Sequence, residues 1–215
     1  NKIEPGEVTN KPAFSSLIEI KFSIEIWPFD PDKATPSGVT SILIVERIGI
    51  AFFELIALFV VFSACKNKVL LIDTDPQANA TSGVGVDKAT VEQSVYDILV
   101  DEVDINDVIT KTAYKNLDIV PSSIALAGAE VELVSAISRE QRLKNAISEV
   151  SGKYDYIIID CPPSLGLITL NSLTAASGVI IPVQTEYYAL EGLSQLMNTF
   201  NIVKKHLNSK LDIFG

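Results

Sequence analysis

Lys68-Val-Leu-Leu-Ile-Asp-Thr-Asp-Pro-Gln77 runs four apolar residues, Val69 to Ile72, straight into Asp73, Asp75 and a proline. A second stretch, Tyr154-Asp-Tyr-Ile-Ile-Ile-Asp-Cys-Pro-Pro-Ser-Leu-Gly166, repeats the arrangement with Tyr156 to Ile159 ahead of Asp160. Unbroken apolar runs of this length are what parallel strands covered on both faces require. Open α/β sheets bind ligands beyond the carboxyl ends of such strands, which is where Asp73, Asp75 and Asp160 fall. Carboxylates there can hold a hydrated Mg²⁺ and direct a water at a γ-phosphate. One aspartate at a strand end is more often structural than catalytic. Two strands, three acids and a proline after each motif favour a nucleotide-phosphate and Mg²⁺ site. Pro76, Pro162 and Pro163 stop the strands and stiffen the loops that carry the acids.

Outward from these two strands, the pattern from Lys68 onward predicts alternating elements. The order is strand 68–73, a loop to about 90, helix 91–100, short helix 104–110, strand 116–120 and helices 124–150. Strand 154–160, helix 166–177, strand 178–183, helix 187–207 and a last strand from 211 follow. Strands and helices in alternation mean a doubly wound, mainly parallel sheet. In the last long helix Leu190, Leu193, Leu196, Met197, Phe200 and Val203 form one stripe, read as packing against the sheet. Thr81-Ser-Gly-Val-Gly-Val86 has two glycines but no following Gly-Lys-Ser/Thr, and reads as a mobile loop and not as a phosphate loop.

Residues 1–66 read differently and are taken as an atypical N-terminal segment, with the nucleotide-binding domain at 67–215. Ile18, Ile20, Phe22, Ile24 and Ile26 alternate with polar residues, the pattern of a strand with one wet face. Trp27-Pro-Phe-Asp-Pro-Asp32 and Pro36-Ser-Gly38 are breaks. Ile48 to Cys65 is apolar enough to raise a membrane span, with Lys66 and Lys68 behind it. Glu54 near its middle is costly in lipid, so a buried helix or strand-helix pair is the preferred reading.

With 17 basic and 27 acidic residues, the 215-residue chain carries a formal charge of -10, which excludes a surface basic overall. Nucleic-acid binding would need a local basic patch or a partner. Cys65 and Cys161 suggest neither a disulfide framework nor a zinc site, and a cytoplasmic location is expected. No basic stretch followed by an apolar core opens the sequence, so a secretory signal is not expected.

The chain resembles the ParA/Soj family of chromosome and plasmid partitioning ATPases, relatives of MinD with deviant P-loops. Lys68 to Gln77 with Asn79-Ala-Thr81 is similar to the family's second acidic motif, and Asp160-Cys-Pro-Pro-Ser-Leu-Gly166 to its Walker B and switch II region. Leu117-Asp-Ile-Val-Pro-Ser-Ser123, Leu126-Ala-Gly-Ala-Glu130 and Glu186-Tyr-Tyr-Ala-Leu-Glu-Gly-Leu193 extend the likeness, which covers Lys68 to Gly215. The resemblance implies a P-loop NTPase fold with ATP and Mg²⁺ as cofactors. It implies that Asp75 positions the attacking water, Asp73 supports the Mg²⁺ shell and Asp160 holds Mg²⁺ through water. Pro76, Gln77, Pro162 and Pro163 are the loop residues it places against the nucleotide. It also implies an ATP-dependent homodimer, a ParB-type partner, and non-specific DNA binding on the nucleoid; association with a membrane is not expected.

Two departures accompany the likeness. Family members carry a Gly-Lys-Thr phosphate loop whose lysine falls near Ala51, where this chain reads Glu46-Arg-Ile-Gly-Ile-Ala51. Pro36-Ser-Gly-Val-Thr-Ser41 has no lysine after its glycine either. Family chains also continue past the position of Gly215 with another strand, adenine contacts and basic residues, so the domain reads as truncated. Lys204, Lys205, Lys210 and His206 read as a solvated helix end. Three function classes stand at this point: a partition ATPase, a remnant acting only as a binding or dimerisation module, and a membrane-tethered variant.

Overall fold

A computed structural model describes residues 41–46, 67–162, 164–181 and 189–214. The expected strand at 18–26 and the apolar stretch 48–65 lie outside the described residues.

The strands are β1 (Ser41–Glu46), β2 (Val69–Asp73), β3 (Thr110–Lys111), β4 (Leu117–Val120), β5 (Tyr156–Cys161), β6 (Gly178–Ile180) and β7 (Asp212–Ile213). They form one sheet in the order β3-β4-β2-β5-β1-β6-β7. Every pairing is parallel except β3 with β4, where a short antiparallel ribbon replaces the end of the expected 104–110 helix. The mainly parallel, doubly wound reading therefore holds. β1, from ahead of Lys68, sits inside the sheet between β5 and β6.

Strand burial explains the apolar runs. All five residues of β2 and all four of β4 are buried. Side chains alternate in direction along a strand, so Leu70 and Ile72 join Ile157 and Ile159 in one core while Val69 and Leu71 join Ile158 in another. Each face needs apolar residues, so neither parity can be polar.

The helices are α1 (Asn79–Gly83), α2 (Val95–Leu99), α3 (Ile105–Val108), α4 (Leu126–Glu132), α5 (Arg142–Ser148), α6 (Leu167–Ala175) and α7 (Ala189–His206). Two expectations need correction. Part of the stretch read as a mobile loop is α1, whose Ala80 and Thr81 are buried. The helix expected over 91–100 starts only at Val95, because Ser94 forms a capping box with Asp97. The helices expected over 124–150 are α4 and α5, parted by a 3-10 turn at Leu133–Ser135 and by Ser138 at φ 51°. In α7 Leu196, Phe200 and Val203 are buried as its stripe requires.

Connections place a crevice at the acids. The chain leaves β2 toward β4 on one side, while from the adjacent β5 it crosses over β1 to β6 on the other. Neighbouring strands whose exits diverge mark the switch point where such sheets take ligands.

Candidate functional site

Asp73 and Asp160 are Cα partners at the last register position of β2 and β5. Thr74 fastens the two strand ends together: its N–H donates to the Asp160 carbonyl at 2.9 Å and its hydroxyl to the same oxygen at 2.8 Å. Asp75 follows one residue later, and its N–H donates to Asp73 Oδ1 at 3.1 Å. The three acids predicted from sequence thus stand together at one sheet edge, with Asp73 and Asp160 fully buried and Asp75 nearly so.

Asp73 is the most constrained of them. Its Oδ2 accepts the Thr81 N–H at 2.8 Å and the Thr81 hydroxyl at 2.7 Å. Thr81 Oγ1 in turn accepts the Ser122 N–H at 3.0 Å, tying the end of β4 to the acid of β2. Burial pushes the Asp73 carboxyl above its ordinary value, opposed by the bonds from Thr81 and from the Asp75 amide. Ser122 Oγ is buried and has no hydrogen-bond partner among the described residues.

The loop after β2 is a tight turn. Asp75 Oδ1 accepts the Gln77 N–H at 2.9 Å and its carbonyl accepts the Ala78 N–H at 2.8 Å, an Asx turn that aims the chain into α1. Ala78 closes the turn at φ 51°, a left-handed conformation that costs a residue with a Cβ. Pro76 is half-buried and Gln77 exposed at the tip of this turn; Pro162 is buried directly after β5, and Pro163 lies outside the described residues.

The second acidic loop ends at α6. Glu130 of α4 caps that helix, its Oε2 accepting the Leu167 N–H at 2.8 Å and its Oε1 the Ile168 N–H at 3.2 Å. A carboxylate here satisfies orphan donors and meets the positive end of the helix dipole. Thr169 adds a bond from its hydroxyl to the Ser164 carbonyl at 2.5 Å. Thr81 and Glu130 were not singled out as site residues in the sequence. Both nevertheless stand in the quoted family motifs, Asn79-Ala-Thr81 and Leu126-Ala-Gly-Ala-Glu130.

The donor set suits Mg²⁺ held largely through water and phosphate. Hard carboxylate oxygens are its proper ligands, and one or two carboxylates beside several waters is its usual protein share. Both Asp73 oxygens already accept protein hydrogen bonds, which suits an outer-shell place. Among the described residues no three His, Cys, Asp or Glu side chains converge to cage a metal directly. β1 ends at this same edge, with Glu46 in register with Cys161. The stretch near Ala51, where relatives place their phosphate-loop lysine, lies outside the described residues.

No helix among the described residues is long and apolar enough to cross a membrane.

Comparison with known proteins gives the relationship. The model of the AAA_31 family, an AAA domain, matches residues 54–213. The sporulation initiation inhibitor protein Soj of Bacillus subtilis is 65% identical over 148 residues, 69% of this chain and 58% of Soj. The chromosome partitioning protein ParA of Myxococcus xanthus is 48% identical over 153 residues, 71% of this chain and 54% of that protein. The chain therefore matches little more than half the length of these relatives. Among solved structures, cobyrinic acid a,c-diamide synthase from Mycobacterium smegmatis with bound ADP and magnesium superposes with a TM-score of 0.77 at 36% identity, covering 82% of this chain and 73% of that one. A plasmid partition protein from Borrelia burgdorferi superposes with a TM-score of 0.66 at 33% identity, covering 82% and 77%.

Proposed function

The chain belongs to the ParA/Soj branch of the AAA_31 family, and from that premise we propose that it is a partition protein whose acidic sheet edge takes ATP with Mg²⁺. The observation that carries the reading is the register of Asp73 with Asp160 at the switch point, with Asp75 hydrogen-bonded to Asp73. Asp160 would hold the hydrated ion, Asp73 would support it from behind and Asp75 would orient the water that attacks the γ-phosphate. The ion's contribution is charge neutralisation on the phosphates. The same reading assigns Pro76, Gln77, Pro162 and Pro163 to contact with the nucleotide. Homodimerisation, a ParB-type partner and DNA as cargo belong to the same reading.

One sequence fact favours a second reading, that of a binding or dimerisation module without turnover. No Gly-Lys-Ser/Thr occurs anywhere in the chain, and Gly152-Lys153 is followed by Tyr154. That lysine and the surrounding amides supply much of the charge stabilisation in phosphoryl transfer.

Two measurements on the purified chain separate the readings. A fluorescent ATP analogue should bind weakly, only with Mg²⁺, and not to Asp160→Asn; binding indifferent to both would refute the site. Phosphate release should be no faster than that of Asp75→Ala, as the second reading expects. Turnover abolished by Asp75→Ala would instead establish the ATPase and place a phosphate cradle within residues 1–66.

A further inference from the structure

A concave site of about 600 Å³ opens at the other end of the sheet, where β2, β4 and β5 begin. Lys68 precedes β2, Lys111 and Lys115 flank the turn between β3 and β4, and Lys153 precedes β5, so four separate chain positions contribute lysines to the lining of one cavity. Asp118 is the carboxylate in the lining, and it is already engaged by the Lys111 ammonium at 2.7 Å and the Tyr154 hydroxyl at 2.9 Å. Burial, and then that bond to Asp118, push the Tyr154 phenol upward, so it remains a protonated donor. The nearby Asp155 carboxylate accepts the Lys68 backbone N–H at 2.7 Å. The Lys153 ammonium bonds the Asn106 amide oxygen. Lys68 and Lys115 form no ion pair among the described residues.

The lining thus carries a surplus of positive charge on a chain whose total is -10. Like charges gathered in a concavity repel one another, and a bound anion relieves that cost while the walls focus the field on it. Five strand residues separate Lys68 from the end of Asp73, about 16 Å at the rise of a strand, so a small ligand cannot span both sites. The volume lies in the range of small-molecule sites.

We propose that this lysine-lined cavity binds a small ligand carrying at least two phosphate-type negative charges, independently of the acidic edge. The site goes beyond the proposed nucleotide function and stands without it. The same phosphate chemistry could be offered by a nucleic-acid backbone, but four lysines gathered in one local concavity on a strongly acidic molecule favour a compact anion over a long polyanion.

Titration calorimetry with inorganic pyrophosphate in chelator, which removes Mg²⁺ from the acidic edge, tests it. Saturable binding is expected to weaken at least tenfold in a Lys68→Gln/Lys115→Gln double variant, whose exposed positions leave folding intact by circular dichroism. Lys68→Arg/Lys115→Arg should retain it, and Asp160→Asn should bind as the parent does. No saturable binding, or binding unmoved by the glutamine substitutions, overturns the proposal. A single-stranded 20-mer displacing pyrophosphate at lower concentration than pyrophosphate itself saturates would also overturn it, assigning the cavity to nucleic acid.

Discussion

Thr81 Oγ1 both donates to Asp73 and accepts from Ser122, so one hydroxyl satisfies a buried carboxylate and a buried amide at once. Thr81→Val keeps the shape and leaves both groups short of a partner, and unmet buried polar groups cost about 1–3 kcal/mol, more when charged. Urea unfolding at neutral pH should show a loss of about 2 kcal/mol or more. The titration of Asp73 gives an independent readout. Its folded carboxyl sits above the ordinary 3.8, so the stability it contributes is complete below that pH and is lost as pH rises through the folded value. Thr81 bonds pull the value down, so in Thr81→Val the Asp73 midpoint followed by carboxyl-carbon NMR should move further up, and an unchanged midpoint would refute the hydrogen-bond account. The acids themselves are legible in the sequence, because a strand that ends at a ligand edge writes its apolar run and its terminal acid in consecutive letters. The Thr81 bond is not, since its partners Asp73 and Ser122 lie 8 and 41 residues away and meet only through the turn at Ala78.

At the scale of elements, α6 depends on a cap borrowed from α4. Gly166 leaves room for it: a Cβ there would lie 2.2 Å from Glu130 Oε1, while its φ of -96° would suit any residue. Glu130→Ala should cost about 1 kcal/mol, the usual value of a helix cap, and Gly166→Ala a similar amount by displacing the carboxylate. The two losses share one interaction, so the double variant should be nearly as stable as Glu130→Ala alone, with a coupling of about 1 kcal/mol in chemical denaturation. Strict additivity would show that Gly166 and Glu130 act separately. Helix α7 was readable because a long stripe states its period repeatedly, whereas α6, apolar nearly all round, was readable at 166–177 only from its place between two strands. The helices expected over 124–150 are present as α4 and α5, but the point where they part was not readable, because nothing in the apolar pattern signals the left-handed Ser138 between them.

Across the whole molecule the parallel sheet follows from strands apolar on both parities, and that much is written in residues 69–72 and 156–159. Strand order is not, since β1 reaches the space between β5 and β6 from the N-terminal segment, to which the sequence assigned no place in the sheet. Charge acts at this scale too. Non-specific DNA binding rests on lysine and arginine displacing counterions from phosphates, and a chain at -10 meets the duplex with net repulsion. Of the cations near the end of α7, Lys204 is bonded to Asp212 at 3.2 Å and lies 5.6 Å from the Phe200 ring centre, while Lys205, His206 and Lys210 are exposed, a small set of cations against a net charge of -10. The lysines of the opposite cavity line a concavity and not a track. A fluorescent duplex mixed with low micromolar protein at about 0.15 M salt should therefore show no rise in anisotropy, because a Debye length of about 8 Å screens what attraction the cavity offers at a distance. A rise that disappears as salt is increased would show instead that local basic groups outweigh the net charge, and would restore DNA binding to this chain.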